Sequence, residues 1–126
     1  MASLTIRVDL TQTRAIGPGK IRLLEMIDKT GSISAAGRAM DMSYRRAWLL
    51  LDELNHMFQE PVATTSHGGR AGGGASLTPF GKRLVQGYRK METDAEKAVG
   101  AYLSMVGAAI HSARRSATTV RRRLAK

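Results

Sequence analysis

The sequence predicts a mainly α-helical domain with a small two-stranded β ribbon, followed by one long C-terminal helix. Three observations predict this fold: apolar residues at helical spacing in three consecutive segments, a β-branched segment followed by a glycine run, and an apolar heptad after Pro79. The predicted bounds are 1–78 for the domain with its N-terminal strand and ribbon, 79–112 for the long helix, and 113–126 for a basic tail.

Composition favours a polyanionic partner. The 126 residues carry a formal net charge of +10, which indicates nucleic acid rather than a membrane surface. The chain contains no cysteine, so disulfides, thiolate zinc sites and a cysteine nucleophile are excluded. It has no apolar run of about 18 residues and no signal-peptide core at its N-terminus. We therefore expect a soluble, cytoplasmic protein without a membrane partner.

Much of the positive charge lies at the C-terminal end. Residues 111–126 contain six basic and no acidic side chains, whereas the other 110 residues contain 14 basic and 10 acidic ones. Such a tail is typically solvated and disordered. It either contacts phosphates without specificity or only aids solubility, and the alternative is a folded helix end.

Alternating apolar and polar residues predict a half-buried strand near the N-terminus. The alternation extends from Leu4 to Leu10, with the apolar residues at even positions. Gly17-Pro18-Gly19 then interrupts the chain, and the apolar spacing within Lys20–Lys29 predicts the first helix. We expect Thr30-Gly31 to end it, because glycine commonly follows the last turn of a helix.

Two further helices are predicted before residue 60, separated by a tight turn. Ser34 is expected to cap the second helix, which passes through small residues to Met40. Asp41-Met42 forms the turn. Ser43 is expected to cap the third helix, which extends from Tyr44 to about Phe58.

The third helix has one apolar face and additional apolar residues beside it. The predicted face consists of Ala47, Trp48, Leu51, Leu54 and Phe58. Arg45 and Arg46 lie largely off this face, in the first turn. Leu49 and Leu50 make the helix more apolar than one face requires, so we expect part of its flank to pack against something else.

A ribbon and the start of the last helix follow Pro61. Residues 62–67 are β-branched enough to form a strand, and Ala75-Ser76-Leu77 is the expected return strand. Thr78-Pro79 predicts the start of a helix, with threonine as the N-cap and proline at the first helical position.

Apolar residues of the last helix repeat at heptad spacing. Their separations are 4, 3, 4, 3, 4, 3 and 4, and the residues are Leu84, Tyr88, Met91, Ala95, Ala98, Tyr102, Met105 and Ala109. A helix from Pro79 to Ile110 extends about 48 Å, which is longer than this domain can cover. The heptad is therefore predicted to be the dimer interface of a homodimer. The alternative is a helix that lies along its own domain.

The glycine run at residues 68–74 does not match a nucleotide-binding loop. A Walker A motif needs lysine where Ala75 stands, and a dinucleotide fingerprint needs its third glycine where Leu77 stands. The histidines His56, His67 and His111 are far apart, and no serine lies in a G-x-S-x-G motif. We predict no catalytic residue, no metal site, no cofactor and no enzymatic activity.

The order of elements is that of a winged helix-turn-helix domain, which suits duplex DNA. The start of the third helix is expected to enter the major groove and to contribute four DNA-binding residues, Ser43, Tyr44, Arg45 and Arg46. Arginine can make a bidentate contact with guanine, so Arg45 or Arg46 is the predicted base reader. The alternative is that these arginines contact only phosphates.

The glycine run is then the tip of the wing. A tip that approaches DNA must be small, must allow positive φ, and benefits from a cation. Gly69 and Arg70 are accordingly predicted to bind DNA. The alternative is a mobile loop with an incidental arginine.

Three motifs carry a resemblance to a known family. They are Gly31-Ser32-Ile33-Ser34, then Ser43-Tyr44-Arg45-x-Ala47-Trp48, then GGRAGGGASLTPFGKRLVQGY at residues 68–88. Together these motifs cover most of residues 18–90, and they resemble the N-terminal DNA-binding domain of the ModE-type molybdate-responsive transcriptional regulators. The resemblance implies a dimeric winged helix-turn-helix protein that binds operators, usually to repress molybdate-uptake genes and sometimes to activate molybdoenzyme genes. It also implies dimer contacts from the N-terminal strand and the last helix.

The sequence departs from that family at its C-terminal end. Full-length members carry C-terminal molybdate-binding domains of small β-barrel type after the dimer helix, whereas this chain ends at Lys126. No molybdate site is therefore predicted in this chain. We expect one of three kinds of protein: a stand-alone regulator, a regulator that senses its ligand through another chain, or a regulator that no ligand controls.

The sequence thus predicts a homodimeric, sequence-specific DNA-binding transcriptional regulator, a repressor of the molybdate-responsive ModE type. The alternative is a nucleoid-type or structural DNA-binding protein that uses the same fold without sequence choice. A third hypothesis is a protein-interaction adaptor in which the heptad helix is the functional part.

Overall fold

The computed structural model describes residues 2–66 and 74–111, and this part of the chain is mainly helical, as predicted. Its five helices, within those two ranges, are α1 (Pro18–Thr30), α2 (Ile33–Ala39), α3 (Tyr44–Met57), α4 (Pro79–Ala98) and α5 (Gly100–Ala109). The strands form two antiparallel pairs within the same ranges. β1 (Val8–Asp9) pairs with β2 (Ala15–Ile16), and β3 (Ala63–Ser66) pairs with β4 (Gly74–Leu77). Thr5–Glu92 forms one compact unit, here called the main unit. The described residues on either side of it belong to a second unit.

The N-terminal segment alternates in exposure as predicted, but little of it forms a strand. Ile6 and Val8 are half-buried, whereas Arg7 and Asp9 are exposed. Pairing is limited to Val8–Asp9 because its partner β2 is only two residues long. The chain turns back directly afterwards, so Leu10 is exposed and does not continue the buried face.

Glycine ends α1 where the sequence predicts. Gly31 has a left-handed conformation, with φ of 74°, and its N–H donates to the carbonyl of Ile27. This conformation favours glycine because it has no Cβ to clash. The helix begins at Pro18, two residues before the predicted segment.

A different serine from the predicted one caps α2. The Oγ of Ser32 accepts the N–H of Ala35 at 3.1 Å, which makes Ser32 the N-cap. Ser34 lies inside the first turn, where its hydroxyl accepts a hydrogen bond from Arg38. The prediction of Ser34 was wrong because the helix already begins at Ile33, whose side chain is buried in the core.

The core of the main unit lies between the first three helices and the ribbon β3–β4. Its buried residues are Leu23, Leu24, Ile27, Ile33, Ala36, Ala47, Leu51, Leu54, Val62, Ala63, Ala75 and Leu77. Phe58 packs at the edge of this core, with its ring centroid 5.2 Å from that of Phe80. Trp48 is exposed, contrary to the prediction. It lies at the margin of the apolar stripe of α3, and Ala47 and Leu51 fill the side that faces the core.

The ribbon is joined to the helices at its base. Its strands pair in antiparallel register with Thr64 opposite Ser76, and the amide of Ala75 donates to the carbonyl of Gly31 at 2.9 Å. Residues 67–73, which include the predicted wing tip, lie outside the described residues. Beyond β4, Thr78 caps α4 as predicted, since its Oγ1 accepts the N–H of Gly81 at 2.9 Å.

The single helix predicted from Pro79 to Ile110 is divided at Val99. That residue has φ of −108° and ψ of 12°, so α4 ends before it and α5 begins after it. Val99-Gly100 joins a β-branched residue to glycine, both of which have low helix propensity. The prediction of an unbroken helix was wrong at this point.

The second unit contains the end of α4, the whole of α5 and the described residues before Thr5. Ala2 approaches α5 closely, because a Cβ added at Gly107 would lie 3.4 Å from the Ala2 nitrogen. Although α5 is strongly apolar in composition, every one of its residues is partly or largely exposed.

Candidate nucleic-acid interface

A compact turn between α2 and α3 fixes the start of α3. The amides of Met40 and Met42 both donate to the carbonyl of Gly37, at 3.1 and 2.9 Å. Asp41 has φ of +55°, a left-handed conformation that aspartate tolerates better than most residues. The helices pack tightly here, since a Cβ added at Gly37 would lie 3.3 Å from the Cβ of Ala47. The turn that leads into α3 is therefore held by backbone hydrogen bonds to Gly37, and α3 packs closely on α2 at Ala47.

Ser43 caps α3, as the sequence predicts. Its Oγ accepts the N–H of Arg46 at 3.1 Å. Tyr44, Arg45 and Arg46 are all exposed in the turn that this cap begins. The four residues predicted to bind DNA at this end of the helix therefore lie together at the surface.

The first turn of α3 carries two arginines, and Glu53 lines the same shallow cavity as both of them. None of the carboxylates in the described part of the chain lies within 4.0 Å of either arginine. The acidic residues of α3 come later and have partners: Glu53 accepts from Lys20 at 3.1 Å, and Asp52 lies 3.5 Å from His56 Nδ1. The helix N-terminus adds a partial positive charge. This surface is suited to an anionic ligand.

Two large apolar residues in the second turn of α3 are also exposed. These are Trp48, which the sequence predicted in the core, and Leu49. Leu49 follows Arg45 by four residues and so lies one turn beyond it on the same side of the helix. The excess of leucine in α3 was the feature of the sequence that pointed to this surface, although it did not identify the residues.

The described part of the ribbon presents hydroxyl groups. Thr64, Ser66 and Ser76 are exposed, and the Oγ of Ser66 accepts the N–H of Gly74 at 3.1 Å. Hydroxyls of this kind commonly contact phosphate oxygens in protein–DNA complexes. The other predicted DNA-binding residues, Gly69 and Arg70, lie outside the described residues.

The first three residues of the predicted dimer interface pack within their own protomer. Tyr88 is buried in a second cluster with Ile16 and Ile21, and Leu84 and Met91 pack against this cluster. Their heptad positions are therefore explained by the fold of one chain. The sequence could not separate this packing from an interface between chains, because both bury the same stripe.

The later residues of the heptad have a different environment. Ala95 is half-buried, whereas Ala98, Tyr102, Met105 and Ala109 are exposed. This part of the heptad is the part that a second chain can still cover.

A cluster of charged groups holds α4 against α1 in the main unit. Arg89 donates to both carboxylate oxygens of Glu25, at 3.0 and 2.7 Å, and to Glu92 at 2.7 Å. The hydrogen bonds from Arg89 lower the pKa of Glu25 and, in turn, raise the pKa of the guanidinium. The contacts of Arg89 with Glu25 therefore join α4 to α1, whereas its contact with Glu92 lies within α4.

The described residues contain neither a cluster suited to a metal ion nor a helix able to span a membrane. Within residues 2–66 and 74–111, no three histidine, aspartate or glutamate side chains lie close enough together to hold a metal ion. Over the same stretches of chain, no helix combines the length and apolar composition that crossing a bilayer requires.

Comparison with known proteins identifies relatives, although no protein-family model matches the chain. The molybdenum transport protein ModE of Azotobacter vinelandii is 40% identical over 85 residues, which are 68% of this chain and 32% of the relative. The transcriptional regulator ModE of Yersinia pestis is 36% identical over 97 residues, 77% of this chain and 37% of the relative. The DNA-binding transcriptional dual regulator ModE of Escherichia coli K12 is 34% identical over 97 residues, with the same coverage.

The matches cover only the N-terminal part of these relatives. This chain spans 32–37% of the length of the three relatives, and the matched residues are at their N-terminal end. The match includes the cap and first turn of α3, and it confirms the resemblance noted in the sequence. Over the matched residues, the comparisons show a ModE-type N-terminal domain.

Proposed function

We propose that this chain is a sequence-specific DNA-binding transcriptional regulator that binds its operator as a homodimer. One observation carries the proposal: the capped first turn of α3 exposes Tyr44, Arg45 and Arg46, and no described carboxylate pairs with the two arginines. The names of the relatives, which include a DNA-binding transcriptional dual regulator, support the same function.

The first turn of α3 enters the major groove in this proposal. Guanine presents two acceptors there, O6 and N7, which match two of the five N–H donors of an arginine side chain. Arg45 or Arg46 makes this contact and so chooses the sequence. Ser43 keeps its hydroxyl proton while its oxygen caps the helix, so it is able to donate to a phosphate.

The ribbon adds contacts beside the groove. The exposed hydroxyls of Thr64, Ser66 and Ser76 suit phosphate oxygens. Gly69 and Arg70, which lie outside the described residues, are proposed to bind DNA as well, because glycine permits a close approach and arginine supplies a cation.

The homodimer is proposed to form through the later heptad residues. Tyr102 is 64% and Met105 57% exposed, although both belong to a strongly apolar helix. Exposed apolar surface of this kind is energetically unfavourable in water, and a second copy of α5 would cover it. Dimeric helix-turn-helix proteins bind half-sites about 34 Å apart, and we propose the same spacing for the two α3 helices of this homodimer.

The regulated genes are proposed to be connected with molybdenum. This part of the proposal rests on the name of the Azotobacter vinelandii relative, a molybdenum transport protein. Repression of uptake genes is the proposed mode, since a dimer bound across a promoter blocks access to it.

Selection from random DNA tests the function. The full chain is incubated with random double-stranded oligonucleotides, and bound sequences are amplified over several rounds. We expect a pseudo-palindrome with half-sites about one helical turn apart. Failure to enrich any sequence, with equal affinity for all duplexes, would contradict the proposal and support a nucleoid-type DNA-binding protein.

Genomic footprinting with and without molybdate tests the molybdenum connection separately. We expect protected sites upstream of molybdate-transport genes. Protected sites that avoid those genes under both conditions would refute the connection and leave DNA binding itself intact.

A further inference from the structure

Three large apolar side chains are exposed at the N-terminal end of α3. Tyr44 is 57%, Trp48 43% and Leu49 48% exposed. These residues, here called the apolar patch, are not needed for the fold, because the buried side of α3 consists of Ala47, Leu51 and Leu54. Their exposure therefore requires another explanation.

The apolar patch is aligned with the arginines of the first turn. Leu49 follows Arg45 by four residues, and Trp48 follows Tyr44 by four, so each lies one turn beyond its predecessor. Four residues advance a helix by about 6 Å, which corresponds to one or two base-pair steps of about 3.4 Å. A helix that places Arg45 on one base therefore places Leu49 within one or two bases of it.

The charge around the apolar patch identifies what it fits. Arg45 and Arg46 lie beside Leu49 on its N-terminal side. Asp52 and Glu53 lie on its C-terminal side, where Glu53 is paired with Lys20 and Asp52 lies 3.5 Å from His56 Nδ1. A duplex offers negative phosphates around a groove floor, so it complements a cationic rim. On that floor the 5-methyl group of thymine is the apolar feature that distinguishes bases in the major groove. An apolar side chain that follows the two arginines on the helix surface matches this arrangement.

We propose that the apolar patch recognises thymine through its 5-methyl group, with Leu49 as the contacting residue next to the base bound by Arg45. This inference rests on the proposed function and names part of the sequence that the site selects. Tyr44 and Trp48 lie on the helix surface beside Arg45 and Leu49 and shield the contact from water.

Replacement of thymine by uracil tests this inference without changing base pairing. Uracil keeps the O4 acceptor and lacks only the methyl group. The duplex selected from random DNA is prepared with single thymine-to-uracil replacements in one half-site, and the affinity of the full chain is measured by fluorescence anisotropy. At the contacted position we expect about a fourfold loss of affinity, the value for burying one carbon group.

Two variants assign the contact to its residue. Leu49→Ala is expected to bind the thymine and uracil duplexes equally, since it has lost the side chain that touches the methyl group. Leu10→Ala is the matched control, because Leu10 is an exposed leucine on the N-terminal hairpin rather than on α3. It is expected to keep the fourfold preference for thymine. The uracil series on the unaltered chain remains decisive even if Leu49→Ala folds poorly.

The possible outcomes separate this inference from the proposed function. Enrichment of a sequence in which no uracil replacement weakens binding would overturn the inference and leave the regulator intact. If Leu49→Ala then also kept its DNA affinity, the apolar patch would belong to a protein partner. If replacement by uracil weakened binding equally for the unaltered chain, Leu49→Ala and Leu10→Ala, Leu49 would not be the residue that contacts the methyl group. Failure to enrich any sequence would overturn both proposals.

Discussion

The hydroxyl of Tyr88 donates a hydrogen bond of 2.6 Å to the backbone carbonyl of Ile6, which joins the middle of α4 to the N-terminal segment. Burial raises the pKa of this hydroxyl, since the charged form would be poorly solvated. The contact links residues that are 82 positions apart in the sequence. A residue whose spacing predicted an interface between chains thus stabilises the fold of one chain.

Removal of this hydroxyl should destabilise the domain. Tyr88→Phe is expected to lower the free energy of unfolding by about 0.5–1.5 kcal/mol, because the Ile6 carbonyl loses its partner. Urea denaturation followed by circular dichroism measures the effect. Tyr44→Phe is the matched control, since that tyrosine is largely exposed, lies outside the proposed dimer interface and should leave the stability unchanged. Equal changes in the two variants would show that the hydrogen bond is not the cause.

Two glycines of α4 should respond to alanine in opposite directions. A Cβ at Gly81 would overlap the carbonyl oxygen of Val62. At Gly87 no described atom lies within 4 Å of the added Cβ, apart from those of the adjacent residues and of its own helix backbone. Gly81→Ala is expected to destabilise the domain by about 1–3 kcal/mol through overpacking. Gly87→Ala should stabilise it by about 0.5–1 kcal/mol, the usual gain inside a helix. Thermal melts of both variants check the pair, and a stable Gly81→Ala protein would refute the close approach.

Helix ends were predictable where local chemistry determines them. Gly31, Ser43 and Thr78 each terminate or cap a helix as predicted, because their effect depends on neighbouring backbone groups. The start of α2 was not predictable in this way. Ser32 and Ser34 are both suitable caps, and the burial of Ile33 in the core decides between them.

The candidate site was predicted only in part, for a similar reason. The first turn of α3 is exposed as expected, since arginines on a capped helix end have no core to enter. Trp48, predicted to lie on the buried face, is exposed, whereas Tyr88, predicted to lie at an interface between chains, is buried within its own chain. Periodicity shows that a stripe is apolar, but tertiary packing determines whether the same chain, another chain or solvent lies against it.

Substitution of each serine tests the assignment of the α2 cap. Ser32→Ala should cost about 1 kcal/mol, a typical loss for an N-cap that accepts a backbone N–H. Ser34→Ala should be nearly neutral, because Ser34 interacts with an exposed arginine inside the helix. Chemical denaturation of both variants distinguishes them. A larger loss for Ser34→Ala would restore the sequence-based prediction.

The ion pair of Glu25 with Arg89 should give the domain a defined dependence on pH. The pKa of Glu25 is lowered from its ordinary value of 4.5, so the ionised form stabilises the folded state above that value. This stabilisation is lost as the pH falls through the lowered pKa. Glu25→Gln should therefore reduce the melting temperature at neutral pH, and the difference from the unaltered protein should shrink in acid.

The control for this measurement is Glu60→Gln. Glu60 pairs with Arg83 at 3.8 Å between two largely exposed side chains, so its removal should have little effect at any pH. A difference between Glu25→Gln and the unaltered protein that persists undiminished in acid would exclude ionisation of Glu25 as its origin.

Negative charge on α5 should separate the proposed dimer. The double variant Tyr102→Glu, Met105→Glu introduces charge on exposed side chains, so the fold of each protomer should be retained. We expect analytical ultracentrifugation to show monomers, because two copies of each charge would meet across the interface. Lys97→Glu, an exposed position off the heptad, should remain dimeric. A dimeric double variant would place the interface elsewhere.

The most direct test of whether the first turn of α3 chooses the sequence uses the variants Arg45→Ala and Arg46→Ala. Their affinity for the selected operator is compared with their affinity for random duplex at the same salt concentration. At least one variant should lose about 1–3 kcal/mol on the operator and far less on random DNA, because a base contact is lost only where the base is present. Equal losses on both duplexes would mean that these arginines bind phosphates alone, and would contradict sequence recognition by this end of α3.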